Sequence, residues 1–308
     1  MSDHPTLGKR APHQPPAAPR RFHDWLAGPP ADTTLSRDIP APLIPVLKHW
    51  ITLACQYDDQ VAQRVGLRLG IMPKQGARGQ FDFVEALREI KATNERLDLY
   101  DVVNAILGAH RAPDWVDHPQ NSTLAGRYTA LVTNLIAALE DAGSAYTVAD
   151  TGRLLVERVD PTVAAAVRHT IDAAPHTAAE LLVDAWNHAY GLRPDPTTAY
   201  RQAVRAVEEV AGPLVLPNNP KPSLGTVIKH LRDGGHKWRF ELIDKEGEHT
   251  VDVIVAMMER LWTGQVSRHG GGEFNRDQTS AEAYAAVHLA STLVQLLASG
   301  ALARNERA

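Results

Sequence analysis

The chain has 308 residues, 44% hydrophobic and 22% charged, the composition of a water-soluble globular protein with room for about two domains. Its formal net charge of -4 excludes a wholly basic nucleic-acid coat while leaving room for a local basic patch. The single cysteine, Cys55, excludes an intrachain disulfide and a thiolate zinc cluster, so the expected compartment is the reducing cytoplasm.

Residues 1 to 35 are rich in proline, carry Lys9, Arg10, Arg20 and Arg21, and lack the apolar stretch of a secretory signal. They read as a disordered tail, with a basic docking arm or a presequence as alternatives. No apolar run approaches the ~18–20 residues of a membrane span, so no membrane partner is expected. Beyond the tail, apolar residues recurring at three- and four-residue steps predict helices near 42 to 56, 79 to 93, 97 to 110 and 122 to 142. Leu124, Leu131, Leu135 and Leu139 form the clearest stripe, and Gly143 is placed to stop it. From Tyr146, two short β-prone runs flank Asp150-Thr151-Gly152, which predicts a small β-hairpin near 146 to 159.

Asp160-Pro161 and Asp195-Pro196 each set a capping carboxylate before a proline, whose missing N–H costs nothing in a first helical turn. Thr177 with Glu180 has the spacing of a capping box. Helices are thus expected near 161 to 174, 177 to 190 and 196 to 211, the second ended by Gly191. Apolar periodicity places three more near 223 to 233, 249 to 263 and 279 to 299, the last opened by Thr279 and Glu282. The predicted fold is mostly α: a tail over 1 to 35, an N-terminal helical domain with one hairpin over 36 to 176, and a C-terminal helical bundle over 177 to 308.

Several chemistries lack their residues. The triple glycine at 270 to 272 is followed by Glu273 and not by Lys and Ser or Thr, so it is no Walker loop, and no G-x-S-x-G elbow occurs. None of the 14 histidines stands in zincin spacing, so neither a metal nor another cofactor is expected. The best chemical candidate is Arg268-His269, on the long glycine-rich loop before the last helix. A guanidinium can fork onto a phosphate, an imidazole can move a proton near neutral pH, and the glycines let backbone N–H groups approach an anion. The competing reading is a surface loop in which Arg268 pairs with a carboxylate and His269 caps a helix.

Glu208 lies at the edge of its helix's apolar face, where it either points into a bundle groove or pairs with Arg205 three residues away. On the last helix, His288, Ser291 and Gln295 make a narrow polar stripe with Tyr284 and Thr292 nearby. That stripe is either a solvated face or a polar groove aligned with the Arg268-His269 loop. Between residues 221 and 239, Lys221, Lys229, Arg232, Lys237 and Arg239 stand against Asp233 alone, with Trp238 and Phe240 interleaved. Lys229, Arg232, Lys237, Trp238 and Arg239 are the candidates for meeting phosphates and stacking a base.

The segments AWNHAYGLRPDPTTAYRQAVRAVEEV, PSLGTVIKHL and SRHGGGEFNRDQTSAEAYAAVHLASTLVQLL, over roughly residues 180 to 300, resemble the abortive-infection-like proteins of bacteria, whose C-terminal domain is similar to the HEPN superfamily of helical bundles. The resemblance implies a metal-independent endoribonuclease of phage defence, with an Arg and a His on a short spacer assembled across a homodimer of the C-terminal bundle. Here the spacing departs: eight residues separate Arg260 from His269, Arg268 adjoins His269, and three separate Arg232 from His236. In that scheme His269 handles the proton, Arg268 or Arg260 stabilises the charged phosphorane, and Glu208 orients the imidazole. Other branches of the superfamily bind nucleic acid or protein without cutting, so a non-catalytic helical interaction module is the alternative expectation. A cleaving site requires the loop to converge with His288 and Ser291 in one cleft.

Overall fold

Eleven α-helices and three two-stranded antiparallel ribbons appear among the described residues, which in this computed structural model are 35–56, 59–75, 81–91, 97–110, 122–268 and 276–305. The expected tail lies outside the described residues up to position 34. The chain from Ser36 onward gathers in one compact unit. Among the described residues no helix is long and apolar enough to cross a membrane.

The first group of elements is α1 (Leu43–Cys55), α2 (Asp59–Leu69), β1 (Lys74–Gln75), β2 (Phe81–Asp82), α3 (Phe83–Arg88), α4 (Leu99–Ala109) and α5 (Ser122–Asp141). Two differ from expectation. The helix predicted near 79 to 93 is shorter because Asp82, in extended backbone, caps α3 by accepting from Glu85 N. Helix α2 carries too few apolar residues to stand out in the sequence. Its Gly66 is placed by packing, since a Cβ there would fall 2.3 Å from the Phe83 ring. The predicted hairpin is present as β3 (Tyr146–Val148) and β4 (Leu155–Glu157), with Val148 opposite Leu155 and Thr147 opposite Val156. Gly152 takes φ +68° at its turn.

The second group is α6 (Pro161–Ala173), α7 (His176–Tyr190), α8 (Pro196–Val215), α9 (Leu224–Asp233), β5 (Trp238–Phe240), α10 (Asp252–Thr263), α11 (Ser280–Ala298) and β6 (Leu302–Arg304). Asp160 and Asp195 cap α6 and α8 as their Asp-Pro pairs predict, and Thr279 and Glu282 close a reciprocal capping box on α11. Thr177 and Glu180 do not. Helix α7 starts earlier, with Pro175 as its capping residue and Ala179 N donating to Pro175 O, which leaves Thr177 inside the first turn. Two ribbons went unforeseen, β1–β2 and β5–β6; the latter pairs Trp238 with Arg304 and Phe240 with Leu302 across more than 60 residues.

Two apolar cores result. One is built from α1 to α5 with Val148 and Leu155, and the other from α7 to α11 with Val156 and the β5–β6 ribbon. Helix α6, within the 36 to 176 region of the sequence division, packs on α7 and α11. Successive strand residues point to opposite faces, so β4 sends Leu155 into one core and Val156 into the other. Its edge away from β3 is tied twice: Leu155 N donates to Asn104 Oδ1 at 2.7 Å, and Leu155 O accepts from Leu192 N at 3.2 Å. Nearby, Arg193 forks onto both carboxylate oxygens of Asp101, a buried residue of the α4 capping box.

Leu155 is fully buried. Leu155→Ala is expected to lower unfolding free energy in urea by about 2–5 kcal/mol, the usual cost of such a cavity; a loss under about 0.5 kcal/mol would remove the strand from its central place.

Candidate functional site

The Arg268-His269 loop joins α10 to α11. Val266–Arg268 forms a 3-10 turn, while the Arg268 side chain and residues 269–275, His269 among them, lie outside the described residues. Both ends of the loop are anchored. Gly264 N donates to Arg260 O at 3.1 Å, and Gln278 Nε2 donates to Gly264 O at 3.1 Å, drawing the two ends together. Gln278 N donates to Thr197 Oγ1 at 3.1 Å, tying the exit to the start of α8. Arg276 forks onto Glu282 at 2.8 and 2.6 Å; this pairing, with the Thr279 backbone N–H, pushes the Glu282 carboxyl down to about 2. Gln278 is buried, and among the described residues its Oε1 has no hydrogen-bond partner.

The other candidates for that chemistry make contacts of their own among the described residues. Glu208 Oε1 accepts from Leu224 N at 2.8 Å, so this carboxylate caps the first turn of α9 and stitches it to α8. Arg205 instead donates to Gln202 Oε1 at 3.1 Å. Arg260 is exposed on α10, one turn before the loop. Ser291 is buried and donates to Val287 O of its own helix at 2.9 Å, His288, Tyr284 and Gln295 are half-buried, and Thr292 is exposed.

His288 turns toward α7, where its Nε2 lies 2.7 Å from the Tyr190 hydroxyl. Burial lowers the His288 pKa and pushes Tyr190 up to about 12, so the hydrogen bond joins a neutral imidazole to a neutral phenol. Tyr190 stacks on Tyr284 at 4.6 Å, and Trp186 meets Tyr190 at 4.4 Å and His288 edge-on at 5.7 Å. Tyr284 donates to Glu157 Oε2 at 3.3 Å, which carries the network to β4, and Arg37 holds the other oxygen of that carboxylate. This cluster was only partly visible in the sequence: His288 and Tyr284 share a helix face, whereas Trp186, Tyr190 and Glu157 arrive from other elements.

The basic segment divides by strand alternation. Lys229, Arg232, Lys237 and Arg239 are exposed on α9, the turn after it and β5, with Arg232 on Glu259 at 2.8 Å and Arg239 on Glu241 at 3.6 Å. Trp238 and Phe240 point inward at 3% and 1% exposure. The Arg304 guanidinium lies 5.3 Å from the Trp238 ring centroid. Trp238 therefore packs the core and offers no open face to a base, which corrects its assignment as a stacking platform.

No family model, curated protein or solved structure matches the chain.

The His288–Tyr190 bond generates a pH prediction. The folded pKa of His288 lies below its unfolded value of about 6.5. The unfolded chain therefore binds more protons as pH falls through that value, and the stabilisation by this bond is present above it and lost below it. The melting temperature of the wild type should exceed that of His288→Asn at pH 8, with the difference shrinking by pH 5; an unchanged difference would mean that His288 does not titrate in this way.

Proposed function

We propose that this chain is an RNA-directed helical protein, and that its C-terminal bundle works in phage defence as the HEPN-like bundle of the abortive-infection-like proteins it resembles. The observation that carries this reading is the set of exposed cations Lys229, Arg232, Lys237 and Arg239 on α9, the turn after it and β5, called here the cationic row. With Trp238 turned inward, the row recognises phosphate charge and not base identity.

The Arg268-His269 loop is the seat of chemistry in this proposal. His269 removes the proton of a 2′-hydroxyl, whose oxygen attacks the adjacent phosphorus. The 5′-oxygen leaves with a proton, yielding a 2′,3′-cyclic phosphate and a 5′-hydroxyl end. Arg268, or Arg260 in the last turn of α10, stabilises the charged phosphorane. Gln278 Oε1 supplies an acceptor beside the loop. A homodimer through the C-terminal bundle would bring two such loops to one RNA.

A second reading, a module that binds without cutting, is favoured by one observation. Glu208 accepts from the Leu224 amide and His288 pairs with the Tyr190 hydroxyl, so both have structural roles outside any chemistry.

The test is RNA cleavage in EDTA by wild type, Arg268→Ala and His269→Ala, each confirmed folded by circular dichroism. Cleavage by wild type alone supports the ribonuclease, cleavage by all three removes these residues from the chemistry, and binding without cleavage leaves the module. Lys229→Glu with Lys237→Glu should weaken RNA binding about tenfold or more and flatten its salt dependence; unchanged binding in a salt series would remove the cationic row.

A further inference from the structure

A pocket of about 320 Å³ opens between α6, α7, the end of α5 and the β3–β4 hairpin. Its size falls in the range of small-molecule sites. Val167 and Ile171 from one face of α6 and Val183 and Trp186 from one face of α7 make its apolar walls. Trp186 lines the pocket, while its ring neighbours Tyr190 and His288 are not among the lining residues.

The polar groups narrow the ligand. Three lining carboxylates, Glu140, Asp150 and Glu157, stand against two guanidiniums, Arg158 and Arg168, so the site disfavours an anion. Arg168 is forked onto Asp150 at 2.7 and 3.1 Å, and Glu157 is held by Arg37 and Tyr284. The Asn187 carboxamide lines the same space and makes no hydrogen bond among the described residues. It offers two donors and one acceptor on a half-buried wall next to the indole.

We propose that this pocket binds a neutral nucleobase, with Trp186 stacking on the ring and the Asn187 carboxamide pairing with an adjacent donor and acceptor on its edge. An amide side chain reads a base edge through two hydrogen bonds, and an aromatic ring supports it by stacking. The base belongs either to a free nucleoside or to a nucleotide splayed from an RNA strand. The pocket chemistry does not depend on the cationic row or on the loop.

The test is saturation-transfer NMR of the full chain with adenosine, guanosine, cytidine and uridine in turn, then affinity measurements on Asn187→Ala and on Ala164→Phe, which fills the cavity from α6. At least one nucleoside should bind, and each folded variant should weaken it about tenfold or more. Its 5′-monophosphate should bind no better than the nucleoside. Failure of all four nucleosides at millimolar concentration, or equal affinity in wild type and both variants, would overturn the proposal. A hexaribonucleotide that displaces the nucleoside assigns the site to strand bases, and one that does not assigns it to free nucleosides. Nucleoside binding that survives Lys229→Glu separates this site from RNA binding by the cationic row.

Discussion

Strand β4 places two adjacent side chains in two different cores, Leu155 among α1 to α5 and Val156 among α7 to α11. A residue-by-residue alternation of direction is inherent to an extended chain, so these three residues can serve both sides only in one register. A shift by one residue would turn Leu155 toward the C-terminal core and Val156 away from it. That register is held by β3 on one edge, by Leu192 on the other and by the Asn104 side chain on the Leu155 amide. The Arg193–Asp101 fork then closes the same junction from its more exposed side.

The features of functional interest are arranged around that junction. Glu157, the next residue of β4, links Arg37 to Tyr284 and so to the stacked Tyr190, Trp186 and His288. The pocket lies against the same strand, with Val156 and Glu157 in its lining. Polar side chains near the aromatic cluster are mostly paired with one another, as burial demands. Among the described residues, Asn187 in the pocket and Gln278 Oε1 at the foot of the loop are the exceptions with chemical consequence, because an unpaired donor or acceptor in a partly dry site favours a ligand that completes it.

In the proposed reading, the cationic row and the pocket represent two kinds of recognition. Exposed lysines and arginines act through charge, at long range and with strong salt dependence, and carry no sequence information. A walled cavity with an indole and a carboxamide acts at contact and discriminates by shape and hydrogen bonding. In the row, the inward turn of Trp238 removes the aromatic contribution. In the pocket, Trp186 would restore it under the proposal, at a place that no basic residue pattern marks.

Local chemistry was legible along the chain. Asp160-Pro161, Asp195-Pro196 and Thr279 with Glu282 open helices because their hydrogen bonds are made within one turn, and the Asp150-Thr151-Gly152 turn follows from what glycine permits at positive φ. The mostly helical class and the order of long helices followed from apolar periodicity for the same reason. What needed the tertiary structure involves partners distant in sequence. The β5–β6 ribbon, the capping of α9 by Glu208, the inward face of Trp238 and the meeting of His288 with Tyr190 all depend on which helices pack together. Composition and period set which side of each element is apolar. The burial of that side against other elements decided which polar groups were left to face a ligand.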